Sequence, residues 1–139
     1  MSGTSPITPV TRRDLDGLLN VELGPTPWRE VTQTDVDAFA ETTGDRQWIH
    51  VDVERAGASP LGGTIAHGLF TLALGPALTY QLISFDGFAH VLNYGYDTVR
   101  FPSALPVGSR VRMTATVVAV DEGARGIQLR VRQRFERQG

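Results

Sequence analysis

Ile65-Ala-His-Gly-Leu-Phe-Thr-Leu-Ala-Leu-Gly-Pro-Ala-Leu-Thr-Tyr-Gln-Leu-Ile-Ser84 is the stretch on which the fold turns. Ile65, Leu69, Phe70, Leu72, Ala73, Leu74, Ala77, Leu78, Leu82 and Ile83 cover most of a helical circumference, so the spacing predicts a helix buried on all sides. Gly75-Pro76 is expected to kink it, because proline removes one backbone donor and crowds the preceding turn. Residues 56–85 carry no Asp, Glu, Lys or Arg, a length that could cross a bilayer. Ser59, Pro60, Gly62, Gly63, His67, Gln81 and Ser84 break its apolar runs, however, and a helix wrapped by protein is the better expectation, with no membrane partner.

The wrapping is supplied downstream. Phe88–Phe101, Ser109–Asp121 and Arg125–Phe135 each read as a strand, separated by Pro102–Gly108 and by the turn Glu122-Gly-Ala-Arg-Gly126. Val111, Met113, Ala115 and Val117 alternate with Arg110, Arg112, Thr114 and Thr116, and Ile127, Leu129 and Val131 alternate with Gln128, Arg130 and Arg132. Period two with one apolar face means an antiparallel sheet covered on one side. Upstream, Thr34 is a candidate N-cap for a short helix that ends at Gly44, and a second short helix starts at Asp52. The sum is an α+β domain whose antiparallel sheet curls around one long central helix.

The 139 residues suffice for one domain with a real core. Residues 1–27 are read as an N-terminal tail and lead-in, and 28–139 as the single domain. The polar start, Met1 to Val10, has no basic region leading into an apolar segment; it is read as a loose tail, with a cytoplasmic location. Zero cysteines exclude a disulfide scaffold, a zinc ribbon and a thiol nucleophile. All 13 basic residues are Arg, so chemistry that needs a lysine amine is excluded. A net charge of −2 lacks the footprint of a nucleic-acid binder. The charge is uneven: five Arg stand against 12 acids in residues 1–98, and eight against three in 99–139.

Reactive side chains concentrate in Thr43-Gly-Asp-Arg-Gln-Trp-Ile-His50, followed by Ala66-His-Gly68. Asp45 and His50 flank a loop after a helix stop, and a carboxylate with an imidazole is the minimum kit for moving a proton to or from water near neutral pH. The plainer alternative makes Asp45 a turn cap and His50 a satisfied, half-buried histidine. If the buried helix begins near Gly68, its first N–H groups lack helical partners and offer an oxyanion site; otherwise the glycine simply relieves crowding. The row Arg125, Arg130, Arg132, Arg134 and Arg137 reads first as the solvated face of the sheet, and secondly, with Arg100, as a source of phosphate contacts.

Thr43-Gly-Asp-Arg-Gln-Trp-Ile-His50-Val-Asp, Gly62-Gly-Thr-Ile-Ala-His-Gly68-Leu-Phe-Thr-Leu, Tyr94-Gly through Val99-Arg-Phe-Pro, and Pro106-Val-Gly108 together resemble the MaoC-like dehydratases, which include the (R)-specific enoyl-CoA hydratases. The resemblance covers about residues 28 to 137. It implies a hot-dog fold, a homodimer, and reversible syn addition of water to a 2-enoyl thioester to give the (R)-3-hydroxyacyl thioester. Asp45 and His50 match the catalytic pair, and Gly68 matches the position whose N–H binds the thioester carbonyl. His67, Gln47 and Arg100 join Gly68 as substrate-binding candidates. No metal, nicotinamide or flavin is implied; coenzyme A or phosphopantetheine enters only as part of the substrate. Gln47-Trp48 stands where the commoner motif has Asn-Pro, a form that resembles NodN-like relatives. Relatives also continue past Arg137-Gln-Gly139 into a last strand, so an open sheet edge is expected.

Other uses of these residues are conceivable. His50-Val-Asp52 with His67 or His90 has the composition of a two-histidine, one-carboxylate iron site, which the long helix after it argues against. A thioesterase on the same fold would carry a carboxylate in the central helix, and His67 to Phe85 contains none. A hot-dog protein that only binds acyl thioesters, or the inactive partner of a heteromeric dehydratase, is the non-enzymatic alternative.

Overall fold

The structure, a computed structural model, describes residues 7–139. In chain order its elements are β1 (Thr8–Val10), two 3-10 turns (Arg12–Asp14 and Asp16–Leu18), β2 (Glu22–Leu23), β3 (Arg29–Glu30), α1 (Gln33–Thr43), α2 (Trp48–Val51), α3 (Val53–Gly57), α4 (Gly68–Ala73), α5 (Gly75–Tyr80), β4 (Ile83–Phe85), β5 (Arg110–Gly123) and β6 (Gly126–Arg137). They form two compact units. One holds the residues up to Pro27, Gly75–Tyr96 and Arg112–Glu136; the other holds Trp28–Leu74, Asp97–Val111 and Arg137–Gly139.

In the first unit the alternation of β5 does what the pattern predicts: Met113, Ala115 and Val117 are buried, at no more than 1% exposure. β2 pairs antiparallel with β5, placing Glu22 opposite Thr116 and Leu23 opposite Ala115. β6 follows after the two-residue turn Ala124-Arg125 and pairs with β5. Ile127, Leu129, Val131, Gln133 and Phe135 are half-buried, while Gln128, Arg130, Arg132 and Arg134 are exposed, so the arginine row lies on the solvated face. α5 lies against the inner face of β6. Gln133 Nε2 donates to Thr79 Oγ1 at 3.0 Å, and a Cβ at Gly75 would sit 2.5 Å from Gln133 Oε1.

Thr8–Val10 is a correction to the expected loose tail. It pairs in parallel with Ile83–Phe85, and Val10 and Ile83 are both buried; burial of those two side chains is what a free tail would forgo. The rest of that tail, residues 1–6, lies outside the described residues.

The central helix forms in two pieces, α4 and α5, with Leu74 between them. The Leu74 N–H bonds Thr71 O at 3.1 Å and Phe70 O at 3.2 Å, a tightening turn that ends α4. Pro76 then occupies the first turn of α5, where its missing donor is tolerated. Ile65 and Ala66 precede the helix as extended chain, and Ile83 already belongs to β4. No helix among the described residues is long and apolar enough to cross a membrane.

The second unit opens with β3, which pairs antiparallel with the start of β5. α1 is capped by Thr32 rather than Thr34. Thr32 Oγ1 accepts from the Asp35 N–H at 3.1 Å and Asp35 Oδ2 accepts from the Thr32 N–H at 3.2 Å, a reciprocal box. Asp37, which could close the same box from Thr34, instead accepts from Gln33 Nε2 at 2.8 Å. Gly44 ends α1 in the left-handed region, φ +84°, with its N–H on Ala40 O at 2.8 Å. Asp52 caps α3 through the Arg55 N–H at 3.0 Å.

Phe88–Phe101 is the second correction. The pattern predicts a strand, but the segment is irregular and exposed, with Leu92, Tyr94 and Phe101 at 75%, 88% and 51%. A strand needs a ladder partner for its backbone groups. Among the described residues β5 is paired by β2, β3 and β6, and β6 by β5 only, so no neighbour completes a strand at 88–101.

Candidate active site

The second unit brings the sequence-marked residues together by short local devices. Gly44 turns the chain out of α1, and Asp45 follows at once. The loop is held by the Asp45 N–H on Thr43 Oγ1 at 3.3 Å. Arg46 forks onto Glu41 at 2.7 and 3.1 Å, a contact that lowers the Glu41 carboxyl below its ordinary range. α2, one turn long, then delivers His50, which is 7% exposed. Arg55 lies over the Trp48 ring at 4.3 Å, which fixes the near side of α2.

His50 Nδ1 is 2.6 Å from the Ile65 carbonyl oxygen. A carbonyl only accepts, so Nδ1 carries the proton, and the neutral ring presents Nε2 as a lone pair. His67 is 3% exposed, and its Nε2 is 2.9 Å from the backbone oxygen of Asp45; by the same argument Nε2 donates there. Its Nδ1 is buried with no hydrogen-bond partner among the described residues. The two imidazoles stack at 3.8 Å between centroids, 24° apart in plane, and the Phe39 ring meets His67 at 4.9 Å, tilted by 58°.

One donor atom each from Asp45, His50 and His67 lies within 4.8 Å of the other two. Tetrahedral neighbours of a water hydrogen-bonded at about 2.8 Å lie roughly 4.6 Å apart, and those of a zinc ion ligated at about 2.0–2.2 Å roughly 3.4 Å apart; both separations fall inside the 4.8 Å limit. The carboxylate in this cluster is that of Asp45; Asp52, considered above as an iron ligand, is spent on capping α3.

Gly68 opens α4, so no helical carbonyl lies four residues back to take its N–H. Glycine is required here on packing grounds too: a Cβ would lie 2.6 Å from Phe101 Cδ2. Gln47, at the N-cap of α2, and Arg100, in the irregular stretch beside Phe101, are both exposed.

Gln33 is the residue that motif reading passes over. Its Nε2 donates to the His50 carbonyl at 2.8 Å, and its Oε1 accepts from Thr64 Oγ1 at 2.6 Å, stapling α2 to the strand-like chain before α4. Its partners lie 17 and 31 residues away, and no local spacing announces them.

Residues 18–137 match the family described as the MaoC like domain. The chain belongs to the MaoC-like dehydratase family. The match covers the whole acid, imidazole and glycine constellation. This MaoC-like chain is 49% identical over 113 residues to 3-hydroxyacyl-thioester dehydratase Z of Mycobacterium tuberculosis strain H37Rv, covering 81% of this chain and 75% of that one. It is 46% identical over 106 residues to Nodulation protein N of Rhizobium leguminosarum bv. viciae, covering 71% and 63% respectively. The unliganded R-hydratase PhaJ1 from Pseudomonas aeruginosa superposes with a TM-score of 0.67 over 86% of this chain and 72% of that one, at 21% identity. That likeness shows the hot-dog fold.

Proposed function

We propose that this MaoC-like protein catalyses the reversible syn hydration of 2-enoyl thioesters to (R)-3-hydroxyacyl thioesters, with Asp45 and His50 as the catalytic pair. The observation that carries the proposal is the clustering of the Asp45 carboxylate with a His50 ring whose Nδ1–H is committed to Ile65 O, leaving Nε2 as base. Water bound between them adds its oxygen to C3 while His50 Nε2 takes its proton. The electron pair of the C2=C3 bond moves towards the thioester carbonyl, and the Asp45–His50 pair returns one proton to C2, with Asp45 also orienting the water. The Gly68 N–H stabilises the charge that develops on the carbonyl oxygen. The reaction needs no metal or redox cofactor; coenzyme A or phosphopantetheine belongs to the substrate, and Gln47 and Arg100, both exposed, are proposed as its contacts. Homodimeric assembly and a cytoplasmic location are proposed on family resemblance.

The test is hydration of crotonyl-CoA by the full chain, followed by loss of enoyl-thioester absorbance and by chiral analysis of the product. Formation of (R)-3-hydroxybutyryl-CoA is expected, undiminished after chelator treatment. Wild type and Asp45→Asn equally inert, while longer enoyl-CoAs still bind, would instead make this an acyl-thioester-binding module.

Gly68→Ala is expected to lower kcat/KM for crotonyl-CoA by roughly tenfold to 100-fold, because the new methyl meets the Phe101 ring and shifts the amide by a fraction of an ångström or more. Adding Phe101→Ala removes the atoms it meets and should restore part of the loss. An unchanged kcat/KM in the single variant would remove Gly68 from the site.

A further inference from the structure

We propose that His67 is a positioning residue, acting through the Asp45 peptide and the His50 ring, rather than a substrate contact. The proposal rests on the assignment of Asp45 and His50 as the catalytic pair. At 3% exposure His67 has little surface to offer a substrate. Its contacts go to the machinery: Nε2 donates to the Asp45 backbone oxygen at 2.9 Å, and one ring face stacks on His50 at 3.8 Å.

Asp45 needs such a hold. It is exposed, it sits in a loop, and among the described residues its own side chain is met by a hydrogen bond only from the Gln47 N–H, at a long 3.4 Å. A carboxylate that must orient a water within a few tenths of an ångström cannot rely on that contact. His67 fixes the peptide from which the carboxylate projects, and it does so from a rigid place. It is the N-cap of α4, and the Phe70 N–H bonds its carbonyl at 3.0 Å. The same ring limits rotation of His50 by stacking, while the Ile65 carbonyl sets its tautomer.

The buried, unpartnered Nδ1 follows from this role. A buried imidazole nitrogen without a partner is unfavourable. A phenyl ring would avoid that and keep the ring contacts with His50 and Phe39, but would give up the bond to Asp45. The geometry therefore gives a reason for histidine at 67 that core packing does not.

Two variants separate the roles. His67→Phe keeps an aromatic ring against His50 and Phe39 and deletes the donor; His67→Gln loses the ring and keeps an amide that reaches the Asp45 carbonyl. For crotonyl-CoA, His67→Phe is expected to lower kcat about tenfold to 100-fold with KM changed less than threefold. His67→Gln should recover at least part of kcat. A rise in KM without a fall in kcat would make His67 a substrate contact after all, and equal loss in both variants, tracking their melting temperatures, would make it merely structural.

Two readouts do not depend on turnover. In the wild-type protein, 15N shifts should show Nε2 of His67 protonated and Nδ1 bare, and amide exchange across Gly44–Trp48 should accelerate in His67→Phe but less in His67→Gln. The opposite tautomer, or unchanged exchange, overturns the positioning role. Absence of hydratase activity with both readouts as expected would overturn the assigned reaction instead.

Discussion

Asp45→Asn and His50→Ala are each expected to lower kcat/KM for crotonyl-CoA by roughly 10²–10⁴-fold, the range for removal of a positioned acid or base. They fail for different reasons. His50→Ala deletes the imidazole whose Nδ1–H is held at 2.6 Å by Ile65 O and whose Nε2 is assigned to take the water's proton. Asp45→Asn preserves size, and the His67 anchor survives because it is made to the Asp45 backbone. It removes a charge and the capacity to pass a proton. The double variant should be little worse than the worse single one, since the two groups act on one water. Asp45→Asn should melt close to wild type because Asp45 is exposed, whereas His50→Ala, which removes a buried, stacked ring and leaves Ile65 O without its donor, should melt lower, so its activity is compared at a temperature where it is folded. A ratio below tenfold for either variant, with the fold intact, would remove that residue from the chemistry.

Met113→Ala should destabilise the protein by about 2–5 kcal/mol, the range for truncating a buried methionine to alanine. Met113 is 0% exposed, on the inner face of β5. Its backbone is pinned by Thr26 on both sides: the Thr26 N–H donates to Met113 O at 2.9 Å, and the Met113 N–H donates to Thr26 Oγ1 at 2.9 Å. A backbone held that firmly cannot move in to fill the space left by the side chain, which places the substitution towards the costly end. The check is urea unfolding at fixed pH, read as a lower midpoint with an unchanged slope. An unfolding free energy within about 0.5 kcal/mol of wild type would mean that the core around β5 collapses onto the gap.

What the sequence revealed depended on how local each signal is. The alternation in β5 and β6 and the stop at Gly44 are set by neighbouring residues and appear where expected. Phe88–Phe101 has strand-like composition, yet pairing is a property of two chain segments, and one segment's pattern cannot supply the other. The apolar stretch was visible as helix, but it is not buried on all sides: Leu69 and Tyr80 are 61% and 50% exposed, and Ala73 and Ala77 are exposed too, while its division at Leu74 required the hydrogen bonds around Gly75-Pro76. Asp45, His50 and Gly68 stand out by residue type and motif. Gln33 and Ile65, which hold them, do not, because one contributes an ordinary surface amide and the other only its backbone.

That last distinction bears on how the site tolerates sequence change. His50, His67 and Gln33 each send an N–H to a main-chain oxygen, of Ile65, Asp45 and His50 respectively. Every amino acid brings the same carbonyl, so substitution at the receiving end leaves the anchor in place wherever the backbone keeps its course. The donors have no such insurance. Mutational sensitivity at this site is therefore lopsided: Ile65 is free to drift among side chains of similar bulk, and of the five residues in the three anchors only His50, His67 and Gln33 hold the geometry through their side chains.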